Sequence, residues 1–237
     1  MTFVDNLARV EERIAAACRR AARPRSEVRL MAVSKTHPPD AIAEAIAAGV
    51  TLFGESRVQE FDSKLDRLAF PAAEFHLIGH LQSNKSARAT EIFHAIDTVD
   101  SLRLAERLNE AAAHYGKTLP ILLELKLSPE PTKAGLDPAR PELSALLERL
   151  PDLPNVALRG LMTIAPFDDN PVTARTCFRQ LHNLRDRLTA AHPLLDFRVL
   201  SMGMSGDFEL AIEEGSTLIR VGTALFGSRP QPLTPRP

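Results

Sequence analysis

A closed (βα)8 barrel of TIM type, preceded by one extra helix, is the α/β fold this sequence predicts, and three observations predict it. Short apolar runs alternate with amphipathic stretches from residue 28 into the 220s. The apolar runs number eight. The first strand-to-helix turn reads SKTHPPD, without the Gly-rich fingerprint of a doubly wound dinucleotide sheet. Such alternation implies parallel strands joined by helical crossovers, and eight of them in 237 residues fit a closed barrel better than an open sheet. No linker composition interrupts residues 1–227, which are read as one domain. Residues 228–237, SRPQPLTPRP, are read as a disordered Pro-rich tail.

The elements follow in order. Phe3, Leu7, Val10, Ile14, Cys18 and Ala21 recur at helical spacing and give the extra amino-terminal helix. The strands are expected at 28–35, 51–55, 74–79, 95–99, 120–127, 157–164, 197–202 and 216–222. Helices are expected between them. The stretch 40–48 has Asp40 as N-cap and Gly49 as stop, and 57–68 and 84–92 follow. Leu104, Leu108, Ala111 and Tyr115 are in phase over 101–115, where Asp100 and Ser101 signal the start. The remaining helices are 141–150, 172–191 with Cys177, Phe178, Leu181 and Leu184 in phase, and 206–214 closed by Gly215.

Composition narrows the function. With 29 basic and 30 acidic residues the net charge is −1, and no run of one sign suggests nucleic acid. The amino terminus lacks a signal-peptide core, and no stretch approaches the roughly 20 apolar residues that span a bilayer. The two cysteines, Cys18 and Cys177, lack metal-type spacing and read as small core hydrophobes. A soluble, cytoplasmic monomer is expected.

Chemistry is expected at the carboxyl ends of the strands. Lys35 closes the first strand on the face of Met31 and Val33. Desolvation there favours a neutral amine able to form a Schiff base with a carbonyl compound; the alternative is a strand-end lysine that snorkels to water. The seventh strand runs into Ser201-Met202-Gly203-Met204-Ser205-Gly206-Asp207, two hydroxyls and two glycines before a helix. This pattern suits an anion, or Ser205 caps the helix and Asp207 complements its dipole. The eighth strand ends Arg220-Val221-Gly222-Thr223, where Gly222 admits a close backbone approach and Thr223 offers a hydroxyl. These two loops are where such barrels commonly hold phosphate. An amine for an aldehyde beside a phosphate site suggests pyridoxal 5′-phosphate (PLP). Arg220 either faces the pyridine nitrogen, leaving it unprotonated and the cofactor a weaker electron sink, or pairs with a barrel carboxylate such as Glu124.

The segments LMAVSKTHPPDAIAEAIAAGVTLFGESRVQE, FHLIGHLQSNK, LRGLMTI and LSMGMSGDFELAIEEGSTLIRVGTALFG together resemble the YggS/PROSC family of PLP homeostasis proteins over nearly residues 1–227. The resemblance implies a fold-type III PLP barrel, similar to the amino-terminal domain of alanine racemase without that enzyme's β domain. It implies Lys35 as the Schiff-base lysine and Arg220 as partner of the pyridine nitrogen. It further implies Ser201, Met202, Ser205, Gly222 and Thr223 as cofactor contacts on the phosphate side, and Ser56 at the cofactor. Two departures stand out. Gly54-Glu55-Ser56 replaces the family's usual Gly-Glu-Asn, and Lys126 stands where many relatives have a valine-asparagine pair, as a second amine or a solvated rim lysine.

Other constellations carry less. His76 and His80 fall on a strand end and its turn, where positions four apart do not converge on a metal. Asp97 and Asp100 point to opposite faces of a strand. No G-x-S-x-G elbow or Walker loop is present. The expected function is to hold, buffer or deliver PLP, with apo PLP enzymes as recipients and without turnover. The rivals are a PLP-dependent amino-acid racemase and a Schiff-base aldolase. A racemase of this fold type uses a tyrosine from the missing domain, and the one tyrosine here, Tyr115, falls late in a helix.

Overall fold

The computed structural model describes residues 2–67, 73–127, 134–166, 168 and 170–227. The tail at 228–237, Ser128 and the last residue of the expected 57–68 helix lie outside the described residues. The eight strands are β1 (Arg29–Val33), β2 (Leu52–Glu55), β3 (Glu74–Leu77), β4 (Ala95–Val99), β5 (Leu119–Glu124), β6 (Val156–Met162), β7 (Val199–Ser201) and β8 (Leu218–Val221). They form a closed barrel in chain order. β8 returns to β1 in parallel, with Met31 opposite Arg220 and Ala32 opposite Val221.

The helices are α1 (Phe3–Arg20), α2 (Pro39–Ala47), α3 (Val58–Asp62), α4 (Ser86–Ile92), α5 (Leu102–His114), α6 (Pro141–Arg149), α7 (Pro171–Ala191), α8 (Phe208–Glu213) and α9 (Thr223–Phe226). Ser101 caps α5 as its sequence predicts, its Oγ accepting from Leu104 N–H at 3.3 Å. Asp40 is not the cap of α2: Pro39 opens that helix behind Pro38, and Asp40 sits in its first turn. α3 is shorter than expected. The chain tightens to a 3₁₀ turn over Leu65–Arg67, and Lys64 between the two is drawn inward to Glu55. α1 starts at a reciprocal capping box of Thr2 and Asp5.

Strand alternation divides the interior into two shells. Ala32, Phe53, Leu77, Ile96, Ile121, Leu161, Ile219 and Val221 face the helices and build the main core with them. Inside the barrel a small plug of Met31, Leu52 and Leu218, backed by Ile78 and Val199, fills its lower part. Above it the inward side chains turn polar: Glu124, Ser201 and Arg220 are all buried. Cys18 and Cys177 are buried in α1 and α7. Among the described residues no helix is long and apolar enough to cross a membrane.

Candidate functional site at the mouth of the barrel

The site begins where β1 stops. The strand ends at Val33, two residues earlier than the sequence suggests, because residues 34–37 fold into a turn closed by His37 N–H donating to Ser34 O at 3.1 Å. Lys35 is the second residue of that turn, and Thr36, the third, has φ 68°. A positive φ at the third position alone is the type II pattern, which usually requires glycine. Lys35 keeps the inward parity of Met31 and Val33 and is half-buried. It lines a cavity of about 310 Å³ with Ser56, Gly79, His80, Glu124 and Lys126. Ser56 is held there by close packing: a Cβ on Gly79 would lie 2.2 Å from Ser56 O, so only glycine admits the contact.

Beside Lys35, three ionisable side chains line this cavity: Glu124, His80 and Lys126. Burial pushes the Glu124 carboxyl up to about 6, with Asp100 adding to the shift and Arg220 and His80 opposing it. Its Oε2 is buried without a hydrogen-bond partner among the described residues. His80 stands at the rim with Nδ1 3.2 Å from Asp100 Oδ2. Lys126 lies in the same cavity as Lys35, its backbone N–H donating to Leu136 O at 2.9 Å just past β5.

The other half of the mouth comes from β7 and β8. Arg220 is 4% exposed. Its Nη1 donates to Ser201 Oγ at 2.7 Å and its Nη2 to Thr163 O at 2.9 Å. Both acceptors are neutral, so the guanidinium is fixed without a carboxylate against it, and the expected alternative of a Glu124 ion pair is not what forms. Burial lowers its proton affinity, while Asp97, Asp207 and Glu124 act the other way from farther off. Just past the end of β8, the backbone N–H groups of Gly222 and Ala224 both point to Ser205 Oγ at 3.3 Å. Ser205 therefore does not cap α8. Asp207 takes the N-cap position without a side-chain bond into the helix, its Oδ1 instead accepting from Met204 N–H at 2.5 Å within the loop. Gly203, at φ 95°, lets that loop turn tightly over Phe208 and Ala211.

Sequence-predicted residues thus fall into three places. Lys35 and Ser56 share the cavity; Ser205 and Gly222 share the N–H cradle, with Thr223 exposed beside them at the start of α9. Ser201 is fully buried below the cradle and serves Arg220. Met202 is a correction. One residue beyond Ser201, it faces the opposite way and packs in the core between barrel and helices. Its backbone is occupied too, N–H to Leu218 O and C=O to Ser216 Oγ. His76 and Asp97 pair at 3.1 Å beside a cavity of about 710 Å³ at the other, amino-terminal end of the barrel. That cavity is the larger, but the amine and the N–H cradle are not in it. No described cluster of His, Cys, Asp and Glu could hold a metal. Thr163, and a group of buried Ser34, Glu55 and Lys64 with half-buried Glu60, were not legible: Lys64 in KLDR looks like any solvated helix lysine.

The residues present fit PLP by their chemistry. A half-buried amine can meet an aldehyde, and a cradle of backbone N–H groups and a hydroxyl can meet a phosphate. A fixed planar donor lies between β7 and β8, below that cradle. Gly222 leaves space there, since an added Cβ would come no nearer than 3.4 Å to Val33 of β1.

Comparison with known proteins agrees with this geometry. Residues 6–230 match the family "Alanine racemase, N-terminal domain". The pyridoxal phosphate homeostasis protein of Pasteurella multocida is 42% identical over 231 residues, covering 97% of this chain and 98% of that one. The protein of the same name from Escherichia coli K12 is 42% identical, covering 96% and 97%. PipY of Synechococcus elongatus, solved without PLP, superposes with a TM-score of 0.83 at 47% identity over 92% of this chain and 99% of that chain. Its PLP-bound structure gives 0.82 at 46%. Alanine racemase of Clostridium difficile, 18% identical, shares the barrel fold at a TM-score of 0.73, and the match spans 58% of that longer chain. By full-length identity and by fold, this chain belongs to the pyridoxal phosphate homeostasis proteins, within the alanine racemase N-terminal domain family.

Proposed function

We propose that this protein binds PLP as a Schiff base on Lys35 and serves intracellular PLP homeostasis by holding and delivering the cofactor. The observation that carries the reading is the seam between β8 and β1. Arg220 on β8 lies in register with Met31 of the strand that leads to Lys35, and at Gly222, just past the end of β8, an added Cβ would meet Val33 of that same strand at 3.4 Å. In this reading Ser205, Gly222 and Ala224 take the phosphate, Ser201 and Thr163 hold Arg220 toward the pyridine nitrogen, and Ser56 closes the cavity beside the amine. Bound PLP would supply an electron sink for carbanions, and an arginine at its ring nitrogen weakens that sink because it does not release a proton. Support for a carrier over a racemase comes from Tyr115, the single tyrosine. It sits at the end of α5 with its hydroxyl 3.2 Å from Glu91, on the outer surface. We further propose that the protein acts as a cytoplasmic monomer, with apo PLP enzymes as recipients.

The test is the visible spectrum of protein incubated with PLP, followed by borohydride reduction and peptide mass spectrometry. A reduced adduct on Lys35 is expected, with no sustained isotope exchange at the α carbon of added amino acids. No adduct on Lys35 would overturn the cofactor reading. Sustained exchange would overturn the carrier reading.

A further inference from the structure

The turn that presents Lys35 is an unfavourable one. Thr36 is β-branched and sits at φ 68°, a region where such residues are rare. Something outside the turn must over-determine it, and a buried charge network beneath it does so. Ser34 Oγ donates to Glu55 Oε1 at 2.8 Å, and Ser34 O accepts from Lys64 Nζ at 3.3 Å. Thr36 N–H donates to Glu60 Oε1 at 2.6 Å. The residues on either side of Lys35 are thus tied to two carboxylates. Lys64 joins those carboxylates, its Nζ lying 2.9 Å from Glu55 and 2.8 Å from Glu60.

The side chains of Lys64 and Glu55 are 8% and 0% exposed and that of Glu60 is 24% exposed, so the inner Lys64–Glu55 pair is drawn out of water and Glu60 completes the cluster from its partly exposed side. Replacing a buried ion group by apolar side chains of the same volume often costs nothing, so stability alone is weak reason for such a cluster. Its geometry suits a different task. Glu55 follows Gly54 on β2 and by alternation lies on the outer face, where Ser34, just past the end of β1, reaches it, while Lys35 lines the cavity at the mouth. The cluster grips the turn from behind and leaves its amine-bearing side open to the cavity.

We propose that Lys64 is the positioning residue for Lys35: by bridging Glu55 and Glu60 it fixes the backbone on both sides of the reactive amine. The inference rests on the reading that Lys35 takes the aldehyde of PLP. Lys64 does not touch the cofactor. It sets the direction of the amine and so the rate at which Lys35 reaches a carbonyl held at the phosphate cradle. Reactions of this kind lose on the order of a hundredfold when a group is misplaced by about 1 Å.

The experiment uses the full chain and PLP. It measures the rate of appearance of the reducible Lys35 adduct and the pH midpoint of that rate, with thermal unfolding alongside. For Lys64→Met, adduct formation slower by about tenfold or more and a moved midpoint are expected, with Lys64→Arg recovering most of the rate. A purely structural lysine would lower the melting temperature and leave rate and midpoint in place; that result overturns the proposal. Should Lys64→Met fail to fold, Glu60→Ala keeps the inner Lys64–Glu55 pair and removes the carboxylate that joins Lys64 to Thr36 N–H. Slowed adduct formation in that variant supports the proposal and a wild-type rate overturns it. Absence of any Lys35 adduct in the wild-type protein overturns the cofactor reading itself and this inference with it.

Discussion

Glu124 is the residue whose titration the barrel interior alters most usefully. It is 7% exposed, and its carboxyl titrates near 6 instead of 4.5 because burial penalises the anion. A raised value means that the folded protein holds this proton more tightly than the unfolded chain. The contribution to stability is complete below about pH 4.5 and is lost as pH rises through 6. Integrated over the shift, the loss is on the order of 2 kcal/mol at neutral pH. Glu124→Gln, which cannot ionise, is therefore expected to melt higher than wild type at pH 7.5 and about equally at pH 4. Identical pH profiles for the two proteins would show that Glu124 ionises in place at no cost. None of this was visible in the sequence, where Glu124 is one acidic residue ending a strand. The direction of the Lys35 side chain, by contrast, was legible from parity, since the residue lines the cavity at the mouth although the strand stops early, but its use as an amine was not, because the same parity suits a lysine that snorkels to water.

Elements explain why the two halves of the mouth keep their places. α1 packs behind α8 and α9, with Arg13 paired to Glu209 at 3.0 Å and Arg20 to Glu213 at 2.6 Å. Asn6 donates to Leu225 O at 2.9 Å. Phe226, at the end of α9, ties three pieces together. Its ring lies 5.1 Å from that of Phe3 in α1 and stacks at 4.7 Å on His37, the last residue of the Lys35 turn. The segment after β8 and the turn that carries Lys35 thus share one aromatic contact under the amino-terminal helix. Phe226→Ala is expected to cost about 2 kcal/mol in denaturant unfolding, less than a fully buried phenylalanine because this ring is half-buried. It is also expected to lower the hydrogen-exchange protection of α1 more than that of α5. Equal protection in both helices would mean that the ion pairs hold α1 unaided. The helix itself was readable from its periodicity, whereas its docking partners were not, because sequence spacing carries no information on contacts 200 residues apart. The boundaries of α3 and α8 were misread for a related reason. Lys64 and the loop from Gly203 to Asp207 follow tertiary contacts that override local helix propensity.

At the scale of the whole molecule, the site straddles the barrel's closure. Lys35 follows the first strand and the cradle follows the last, and only the pairing of β8 with β1 brings them together. The strand count and parallel order were readable from alternation, since each strand announces itself locally and eight parallel strands have few other ways to close. The consequence for binding was not readable, because it depends on which strands meet at the seam. A ligand that contacts both sides of the seam binds the closed barrel and not the unfolded chain, so it must raise global stability. At PLP concentrations near a hundred times its dissociation constant the gain is about 2.7 kcal/mol. For a chain of this size that corresponds to a melting-temperature rise of roughly 5–10 °C. Lys35→Ala separates the two halves of the site. Loss of the covalent link is expected to remove part of the PLP-induced rise while the fold is kept. The rise produced by inorganic phosphate alone should be the same in the variant and in wild type, because the cradle of Ser205, Gly222 and Ala224 does not involve the lysine. A phosphate response that disappears with Lys35 would place anion binding at the amine and not at the β7–β8 loops. Unfolding of Lys35→Ala without ligand would make Lys35 a structural residue of the closure.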